Sequence, residues 1–427
     1  MLSIKFIREH ADEVKANIKH KQQPDKLDSV DELLKLDESW RKNKQSLDQL
    51  RHDRNKLSES INATKKKGGD IKPLVQQAKE LPNKIKQLEE EMAQQEERID
   101  ELQRAIPNIM HPDVPQGRDD SENVERRRWG ETTKVKTPRN HAQLAEALDV
   151  ADFDSSARVA GNGFYYLKKD LARLNQALIR YGVDFMLDKG YEYTEVPLMI
   201  RRNVIDGVMS FKEMDDMIYK VEGEDLYLIG TSEHSLIGKF IGQTIKEEDL
   251  PLKLTSYSVC FRKEIGSHGI DEKGLWRTHQ FNKVEQVIIC KPGDSWKHFD
   301  ELVTNTEEIM KALGIPYRVL EMCTGDLGDM KARQYDIEAW RPTTNDYGEV
   351  GSCSNLTGAQ ATRLDIKYSD KHGNKDYCHT LNNTAIATSR IMVALLENGQ
   401  QADGSITIPE PLRKHMGGQD KIAPAKD

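Results

Sequence analysis

The stretch that decides the fold reads Phe261-Arg262-Lys263-Glu264 and, after a polar loop, Arg277-Thr278-His279-Gln280-Phe281-Asn282-Lys283-Val284-Glu285. Apolar-flanked arms at 254–261 and 281–290 enclose a glycine-containing loop, a pattern typical of a long β-hairpin. Arg262 and Arg277 offer planar, permanently charged forks for phosphate oxygens, and Phe281 offers a face on which a base can stack. The carboxylates of Glu264 and Glu285 accept hydrogen bonds from amino groups or hydroxyls. We expect these side chains to converge on one pocket; the alternative is a hairpin with ordinary surface ion pairs.

The hairpin resembles motif 2 of the class II aminoacyl-tRNA synthetases. Further segments resemble the seryl-tRNA synthetase family in particular, namely Thr231-Ser232-Glu233, the run from Glu349-Val350-Gly351-Ser352 to Arg363, and the end from Ile408 to Gly418. The run 383–390 stands where the third class II signature is expected and retains its arginine, Arg390. The run 190–197 is similar to motif 1, the dimer-interface element of the class.

The resemblance implies an α+β fold, with an N-terminal antiparallel α-helical coiled-coil arm followed by a class II synthetase catalytic domain. That domain is expected to have an antiparallel β-sheet flanked by helices. The implied activity is that of a homodimeric, ATP-dependent serine–tRNA ligase. It forms seryl-adenylate and then transfers serine to the 3′ end of the serine tRNA, with the selenocysteine tRNA as a further substrate left open.

The resemblance also implies roles for individual residues. Arg262 is expected at the α-phosphate and the serine carboxylate, Arg262 and Arg390 being the catalytic residues. The expected ATP-binding set is Arg262, Lys263, Glu264, Arg277, Phe281, Val284, Glu349, Val350, Gly351, Ser352 and Arg390. Within it, Arg277 and Arg390 are assigned to the γ-phosphate, Phe281 to stacking on adenine, and Glu264 to the adenine or the tRNA end.

The expected serine-binding set is Thr231, Ser232, Glu233, Arg262, Glu285, Asn382 and Thr384. In this set Thr231 and Glu233 are expected to meet the ammonium group, and Glu285 and Thr384 the hydroxyl. Glu349 and Ser352 are the expected Mg²⁺ ligands, since that ion prefers hard oxygen donors.

The first quarter of the chain has heptad spacing. Apolar positions alternate in steps of three and four residues over 33–61 and again over 71–106, and Lys65-Lys66-Lys67-Gly68-Gly69-Asp70 separates the two runs. This pattern predicts two long helices that fold back into an antiparallel hairpin. Pro82, inside the second run, marks a kink or a later helix start.

The arm is basic in an acidic chain. Between Arg41 and Lys86 there are 13 Lys and Arg against 5 Asp and Glu, whereas the whole chain has a formal net charge of −8. A charge run on a helical hairpin can be a solvated face. Attached to a synthetase-like domain, it is better explained as a reader of the RNA phosphate backbone, and the resemblance implies that it grips the long variable arm of the serine tRNA. The expected tRNA-binding residues are Arg51, Arg54, Lys65, Lys66 and Lys67.

The expected domain organisation has three parts. Residues 1–110 form the tRNA-binding domain, 111–163 a proline-, glycine- and charge-rich linker, and 164–427 the catalytic domain. No apolar run approaches the roughly 20 residues that a bilayer span needs, and no secretory signal is evident, so we expect a cytoplasmic protein. The 5 cysteines are widely spaced, without a CxxC pair. They indicate buried free thiols, with neither a disulfide framework nor a zinc site.

Two other functions stay open at this stage. The first is a synthetase-like paralogue that adenylates an amino acid without charging a tRNA; the basic hairpin argues against it. The second is a coiled-coil interaction protein with a degenerate catalytic module. Such a module would be expected to lack one of the residues Arg262, Arg277, Glu349 and Arg390, all of which are retained.

Overall fold

The structure, a computed structural model, describes residues 1–132, 135–210, 214, 217–264 and 273–424. The chain divides into two compact units, Met1–Pro107 and Asn108–Asp427. The helices of the first unit are α1 (Ile4–Glu9), α2 (Ala11–His20), α3 (Leu27–Lys66) and α4 (Lys72–Ala105). A 3₁₀ turn at Pro24–Lys26 leads into α3.

Helices α3 and α4 form the antiparallel hairpin that the heptads predict. Contacts run in opposite directions along the two helices: Trp40 donates to Glu96 at 3.0 Å, and Arg51, further along α3, pairs with Glu89, earlier in α4, at 2.8 Å. The seam between the helices contains the buried and half-buried apolar side chains Leu47, Ile85, Met92, Trp40, Leu50 and Leu88. Helix α4 runs through Pro82 rather than starting after it. The predicted coiled-coil arm is therefore confirmed.

The second unit is built on one large sheet. Its strands follow the order β1-β10-β11-β12-β15-β9-β8-β4, and every pair is antiparallel except β4–β8. The bounds are β1 Val124–Trp129, β4 Glu192–Tyr193, β8 Leu252–Phe261, β9 Gln280–Cys290, β10 Tyr317–Glu321, β11 Arg333–Arg341, β12 Asp346–Thr357 and β15 His379–Ala387. The predicted hairpin is the pair β8–β9. The predicted α+β class with an antiparallel sheet is confirmed.

Short strands form smaller sheets around the main one. They are β2 Ala151–Asp152 with β3 Tyr166–Leu167, β5 Met199–Ile200 with β6 Tyr227–Leu228, β7 Thr244–Lys246 with β13 Lys367–Ser369 and β14 Lys375–Tyr377, and β16 Ile406–Thr407 with β17 Lys421–Ile422. The helices are α5 His141–Ala147, α6 Phe153–Ala160, α7 Lys169–Asp188, α8 Arg202–Val208, α9 Ser232–Gly238, α10 Ser295–Ala312, α11 Ala359–Leu364, α12 Thr388–Gly399 and α13 Glu410–Arg413.

Strand alternation decides which side chains enter the core. Because successive side chains of a strand point to opposite faces, Val284 and Ile288 of β9 pack against α7, α10 and α12 in the larger apolar cluster. On the other face, Val287 and Ile289 pack with α8, α9 and α11 in a second cluster. Toward the start of β9 the same face carries Phe281, Lys283 and Glu285, and it borders a cleft.

The segment expected to be a linker, 111–163, contributes elements to the second unit. Strand β1 is one of the two outer strands of the large sheet, and His141 of α5 is buried against α12. The boundaries at 110 and 163 stay a prediction. Within the residues the structure describes, no helix combines the length and the apolar character that a bilayer crossing requires.

Candidate active site

The cleft lies on the face of the sheet formed by β8, β9, β12 and β15, at the beginning of α12. Its empty volume is ≈ 430 Å³. Its lining contains Arg262, Glu264, Trp276, Thr278, Phe281, Lys283, Glu349, Val350, Gly351, Thr384, Ala387, Ser389 and Arg390. Eight of these residues belong to the sets expected from the sequence, so one concave surface brings together side chains that are up to 128 positions apart in the chain.

The hairpin supplies a stacked cation and ring at one wall of the cleft. Arg262 follows the last residue of β8, and its guanidinium carbon lies 5.3 Å from the centre of the Phe281 ring. The Nε atom of Arg262 donates to the carbonyl oxygen of Gly230 at 3.3 Å. One edge of the guanidinium is thereby anchored to backbone. A fork held in this way is suited to receive an anionic oxygen.

A β-bulge determines which side chains of β12 share a strand face; of the predicted pair, Glu349 lines the cleft and Ser352 lies outside its lining. Glu349 pairs with Glu338 and Ser352 pairs with Asp336, while the register skips Val350. Glu349 and Ser352 are three positions apart and would face opposite sides of a regular strand. The bulge puts both on the face that carries Asp336 and Glu338, so oxygen donors collect there.

Charges on this face influence one another. Burial raises the pKa of Glu349, but the positive charges of Arg390, Arg262 and Lys331 outweigh that effect and hold the pKa below its ordinary value. Burial, with a contribution from Glu349, raises the pKa of Asp336 to about 7. Gln334 Nε2 donates both to Asp336 Oδ1 at 2.7 Å and to Ser352 Oγ at 3.0 Å.

Arg390 lies in the first turn of α12 and is fixed by Glu349. Its Nη1 atom donates to the carbonyl oxygen of Glu349 at 2.9 Å and lies 3.1 Å from the carboxylate oxygen Oε2. The side chain remains 24% exposed on the cleft side. An arginine beside a helix start, with a guanidinium that is partly open, can meet an anionic group in the cleft.

Next to the cleft lies a buried chain of hydrogen-bonding groups. Thr231 Oγ1 donates to Glu285 Oε2 at 3.2 Å, and Lys283 Nζ forms an ion pair with the same carboxylate, whose side chain is only 1% exposed. Thr231 is also the N-cap of α9, accepting from the backbone N–H of Glu233 at 3.3 Å. The cap orients Thr231 and Glu233 from one helix end.

Glu233 is the second carboxylate of this chain. Gln360 Nε2 donates to Glu233 Oε1 at 2.7 Å. Burial, with a smaller contribution from Glu285, raises the pKa of Glu233 to about 7. The neighbouring His234 is buried, and burial together with Lys283 and Arg262 lowers its pKa to about 3, so its imidazole is neutral at physiological pH.

Comparisons with known proteins agree with this arrangement. The model of the seryl-tRNA synthetase N-terminal domain matches residues 1–110, and the model of the class II tRNA synthetase core domain (G, H, P, S and T) matches residues 218–399. A serine–tRNA ligase from Methanocella arvoryzae is 46% identical over 421 residues, covering 98% of this chain and 99% of the relative. One from Pyrococcus furiosus is 45% identical over 439 residues, covering 98% and 96%. The chain belongs to the seryl-tRNA synthetase family.

Solved structures of this family share the fold. The crystal structure of seryl-tRNA synthetase from Pyrococcus horikoshii complexed with ATP superposes with a TM-score of 0.93 at 42% identity, covering 100% of both chains. The cytoplasmic serine–tRNA ligase from Naegleria fowleri in complex with AMP gives a TM-score of 0.87 at 32% identity, covering 100% of this chain and 99% of the other.

Some residues that the seryl-tRNA synthetase resemblance implicated lie outside the cleft lining. Arg277 is exposed, and Val284 points into the core on the opposite face of β9. The backbone N–H of Lys263 donates to the carbonyl oxygen of Met217 at 3.0 Å. Ser232, the first residue of α9, is buried, and its Oγ donates to the carbonyl oxygen of Ser256 at 3.5 Å. Asn382 is half-buried on β15, two positions before Thr384.

Other residues take part in the site although the sequence analysis assigned them no role. Lys283 shares a strand face with Phe281 and Glu285, so simple alternation along β9 is a signal that identifies it. Trp276, Asp336 and Gln360 have no such local signal. They reach the site through long-range packing that the sequence does not display.

The arm residues belong to the first unit. Arg51 pairs with Glu89, whereas Arg54, Lys65, Lys66 and Lys67 have exposed side chains. The three lysines end α3 and begin the turn to α4, so they lie at the tip of the hairpin. His268 has no zinc-ligand spacing with the cysteines in the sequence, so a structural role is predicted for it; it lies outside the described residues.

Proposed function

We propose that this chain is a serine–tRNA ligase that works in two steps. In the first, a serine carboxylate oxygen attacks the α-phosphorus of ATP, and pyrophosphate leaves from the same phosphorus. In the second, a hydroxyl of the terminal adenosine of the tRNA attacks the seryl carbonyl carbon, and AMP leaves. The observation that carries the proposal is the buried Thr231–Glu285–Lys283 chain next to the Arg262–Phe281 stack.

The cleft supports ATP as the first substrate. We assign Arg262 to the α-phosphate, where it would neutralise charge as it develops, and Phe281 to stacking on the adenine. Arg390 is assigned to the γ-phosphate, with Arg277 joining it from the exposed end of the hairpin. Positioning and charge neutralisation supply most of the rate in such transfers, so no covalent protein intermediate is needed.

The oxygen donors of β11 and β12 fit Mg²⁺. Among the described residues, no group of three or more His, Cys, Asp or Glu side chains is arranged to hold a metal ion. Mg²⁺ usually binds one or two carboxylates together with water and substrate phosphates, and Glu349 with Ser352 on one strand face matches that donor set. Glu349 and Ser352 would hold the ion, which would supply positive charge to neutralise the phosphates of ATP.

The buried chain supports serine as the amino acid. Glu233 and Thr231 offer oxygen acceptors to the ammonium group, and Arg262 offers its fork to the carboxylate. Glu285 is held by Thr231 and Lys283, and Thr384 lines the same cleft. Glu285 and Thr384 are assigned to the side-chain hydroxyl of serine. Ser232 and Asn382 are assigned to the outer part of the serine site.

The arm supports tRNA as the final acceptor. Its exposed Arg54 and its tip lysines are suited to phosphates of the serine tRNA, with the selenocysteine tRNA as a second candidate. The paralogue that adenylates without charging a tRNA has no observation in its favour. We further propose a homodimer located in the cytoplasm; the similarity of 190–197 to motif 1 supports the dimer.

The test is an ATP–pyrophosphate exchange assay followed by tRNA charging. Serine should support exchange, and alanine should be poorer by ~10⁴ or more, because it leaves the buried carboxylate of Glu285 without its hydroxyl partner. Serine tRNA should then accept labelled serine. Comparable exchange with alanine and serine would show the Glu285 and Thr384 assignment to be wrong. Exchange without charging would select the paralogue.

A further inference from the structure

Trp276 makes an unusual set of contacts in the wall of the cleft. Two guanidinium carbons lie over its indole ring, that of Arg341 at 4.1 Å and that of Arg390 at 5.4 Å from the ring centre. The indole is 8% exposed and therefore largely desolvated. Cation–π contacts are strongest with tryptophan and gain from desolvation.

The indole itself is held in place from several directions. His141 Nε2 accepts a hydrogen bond from the backbone N–H of Leu275 at 3.1 Å, which fixes the residue next to Trp276. A Cβ atom at Gly348 would lie 2.4 Å from the Cζ2 atom of Trp276, so only glycine leaves room for the ring at that position. The ring therefore has a defined place against β12.

The two arginines differ in what else they contact. Arg341 is buried, and its Nη2 atom lies 3.9 Å from Oε1 of the fully buried Glu397. Glu397 also accepts from Thr343 Oγ1 at 2.6 Å and lies 3.1 Å from His141 Nδ1. Arg341 is thus part of the supporting structure. Arg390 is the guanidinium with open access to the cleft.

We propose that Trp276 is a positioning residue that holds Arg390 in the orientation in which it meets the phosphate chain of ATP. Arg390 has two attachments, the oxygens of Glu349 and the indole face. If the carboxylate of Glu349 is drawn to a metal-bound triphosphate, the backbone carbonyl oxygen of Glu349 and the indole face remain as attachments. The carbonyl oxygen holds one nitrogen of the guanidinium, and the indole face sets the plane of the group. This inference rests on the proposed ATP site.

The test compares Mg-ATP with AMP, because AMP lacks the phosphates that the proposal concerns. Calorimetric titration should show Trp276→Leu binding Mg-ATP about 5- to 30-fold more weakly than the unaltered protein, with a clearly smaller loss for AMP. Trp276→Phe keeps an aromatic face and should recover most of the loss. Trp129→Leu, which removes a half-exposed indole from strand β1, is the matched control and should leave both affinities unchanged.

A double-mutant cycle separates positioning from general damage. If Trp276 acts through Arg390, Trp276→Leu should cost little in an Arg390→Ala background, since the group it positions is already gone. An undiminished loss of Mg-ATP affinity in the Arg390→Ala background would overturn the proposal. Equal losses of affinity for Mg-ATP and AMP would also overturn it, as would unchanged Mg-ATP binding in a folded Trp276→Leu protein. If the unaltered protein binds ATP but shows no serine-dependent exchange, the proposed ligase function is contradicted, and the effect of Trp276 on ATP binding still tests the positioning role. No binding of ATP by the unaltered protein would contradict both.

Discussion

Gln360 Nε2 donates a 2.7 Å hydrogen bond to Glu233 Oε1, while Gln360 Oε1 accepts from Thr380 Oγ1 at 2.6 Å. The same Nε2 atom also donates to the carbonyl oxygen of Val208 at 3.2 Å. A carbonyl oxygen can only accept, so the orientation of this buried amide is determined by its neighbours. Gln360 therefore fixes one oxygen of Glu233, the residue that we assign to the ammonium group of serine.

Replacing Gln360 by leucine should weaken serine recognition selectively. The change removes a hydrogen bond to a carboxylate, an interaction of ~1.5–3 kcal/mol, so KM for serine should rise roughly 10- to 100-fold. KM for ATP should stay within about twofold, because the cation and ring of the ATP wall are untouched. Steady-state exchange kinetics measure both constants. Gln243→Leu, at an exposed glutamine on the surface, is the matched control. A folded Gln360→Leu protein with an unaltered serine KM would contradict this role.

The raised pKa of Glu233 predicts a pH dependence of serine binding. Burial and Glu285 raise the pKa of Glu233 to about 7, so its carboxylate is ionised above that pH and neutral below it. The ammonium group of serine needs the ionised form. Serine affinity should therefore be nearly constant above pH 8 and about tenfold weaker at pH 6, because each pH unit below the pKa reduces the ionised fraction roughly tenfold.

Calorimetric titration of serine at pH 6 and pH 8 tests this dependence. Glu233→Gln should bind serine weakly at both pH values and should show no tenfold change between them. Lys283 and Lys331 contribute to lowering the pKa of Glu233, so Lys331→Gln should move the transition to higher pH. Equal affinities at both pH values in the unaltered protein would rule out Glu233 as the ammonium acceptor.

How much of this site the sequence predicts depends on the kind of pattern involved. The arm is readable because heptads are local, and the β8–β9 hairpin is readable because its glycine loop and apolar arms are contiguous. The convergence of Arg262 and Phe281 follows from the register of that hairpin. The position of Lys283 can be predicted from the sequence in the same way, since it alternates with Phe281 and Glu285 along β9.

The remaining features depend on irregular backbone or distant packing. Glu349 and Ser352 share a face only because the register skips Val350, and no residue in that run signals a bulge on its own. The resemblance to the family, rather than periodicity, identified that pair. His141 lies 134 positions from Leu275, the residue whose N–H it accepts, in a segment whose composition resembles a linker. Such contacts form only when distant segments of the chain pack together in the folded core, so no local sequence pattern predicts them.

The ion pair of Lys283 with Glu285 should also matter for stability. Both side chains are almost fully buried, at 7% and 1% exposed. Lys283→Met keeps the aliphatic length but leaves a buried carboxylate with a hydroxyl as its remaining partner, a change that typically costs ~3–5 kcal/mol. The free energy of unfolding, measured by urea titration, should fall by ~3–5 kcal/mol. Lys253→Met, at a half-buried pair with Glu301, is a control with an expected loss below ~2 kcal/mol. Equal losses of unfolding free energy in Lys283→Met and Lys253→Met would show that burial of Glu285 does not make its ion pair more important for stability.

Arg262→Ala should abolish adenylate formation without unfolding the protein. The side chain contacts the Phe281 ring and one carbonyl oxygen, so little of the core depends on it. Loss of one preorganised donor typically costs ~10² to 10³ in rate, and a charged, two-pronged donor should be at or above the top of that range. Pyrophosphate exchange measures the loss, and a thermal melt checks the fold. Arg158→Ala, at an exposed arginine of α6, should leave exchange unchanged. Normal exchange in a folded Arg262→Ala protein would exclude the role.

Neutralising Lys65, Lys66 and Lys67 together as glutamines should weaken tRNA binding while serine activation stays normal. The three exposed ammonium groups lie at the tip of the arm, and each phosphate that they neutralise releases counterions. Each such contact contributes roughly 0.7 to 0.9 to the slope of log K against log salt, so the slope should become shallower by about 2 to 3 if all three lysines reach the backbone. Filter-binding titrations of serine tRNA over a range of salt concentrations measure this slope.

The matched control neutralises three exposed lysines of the small β7–β13–β14 region, Lys246, Lys371 and Lys375. The net charge then changes by the same amount, so a purely long-range effect of charge would weaken tRNA binding equally in both triple variants. A direct phosphate contact at the tip would change the slope in the arm variant alone. Unchanged tRNA affinity in the arm variant would show that the tip does not bind the phosphate backbone of the tRNA. Every residue assigned to ATP and serine lies in the second unit. Loss of pyrophosphate exchange in a folded arm variant would therefore show that the arm acts on serine activation.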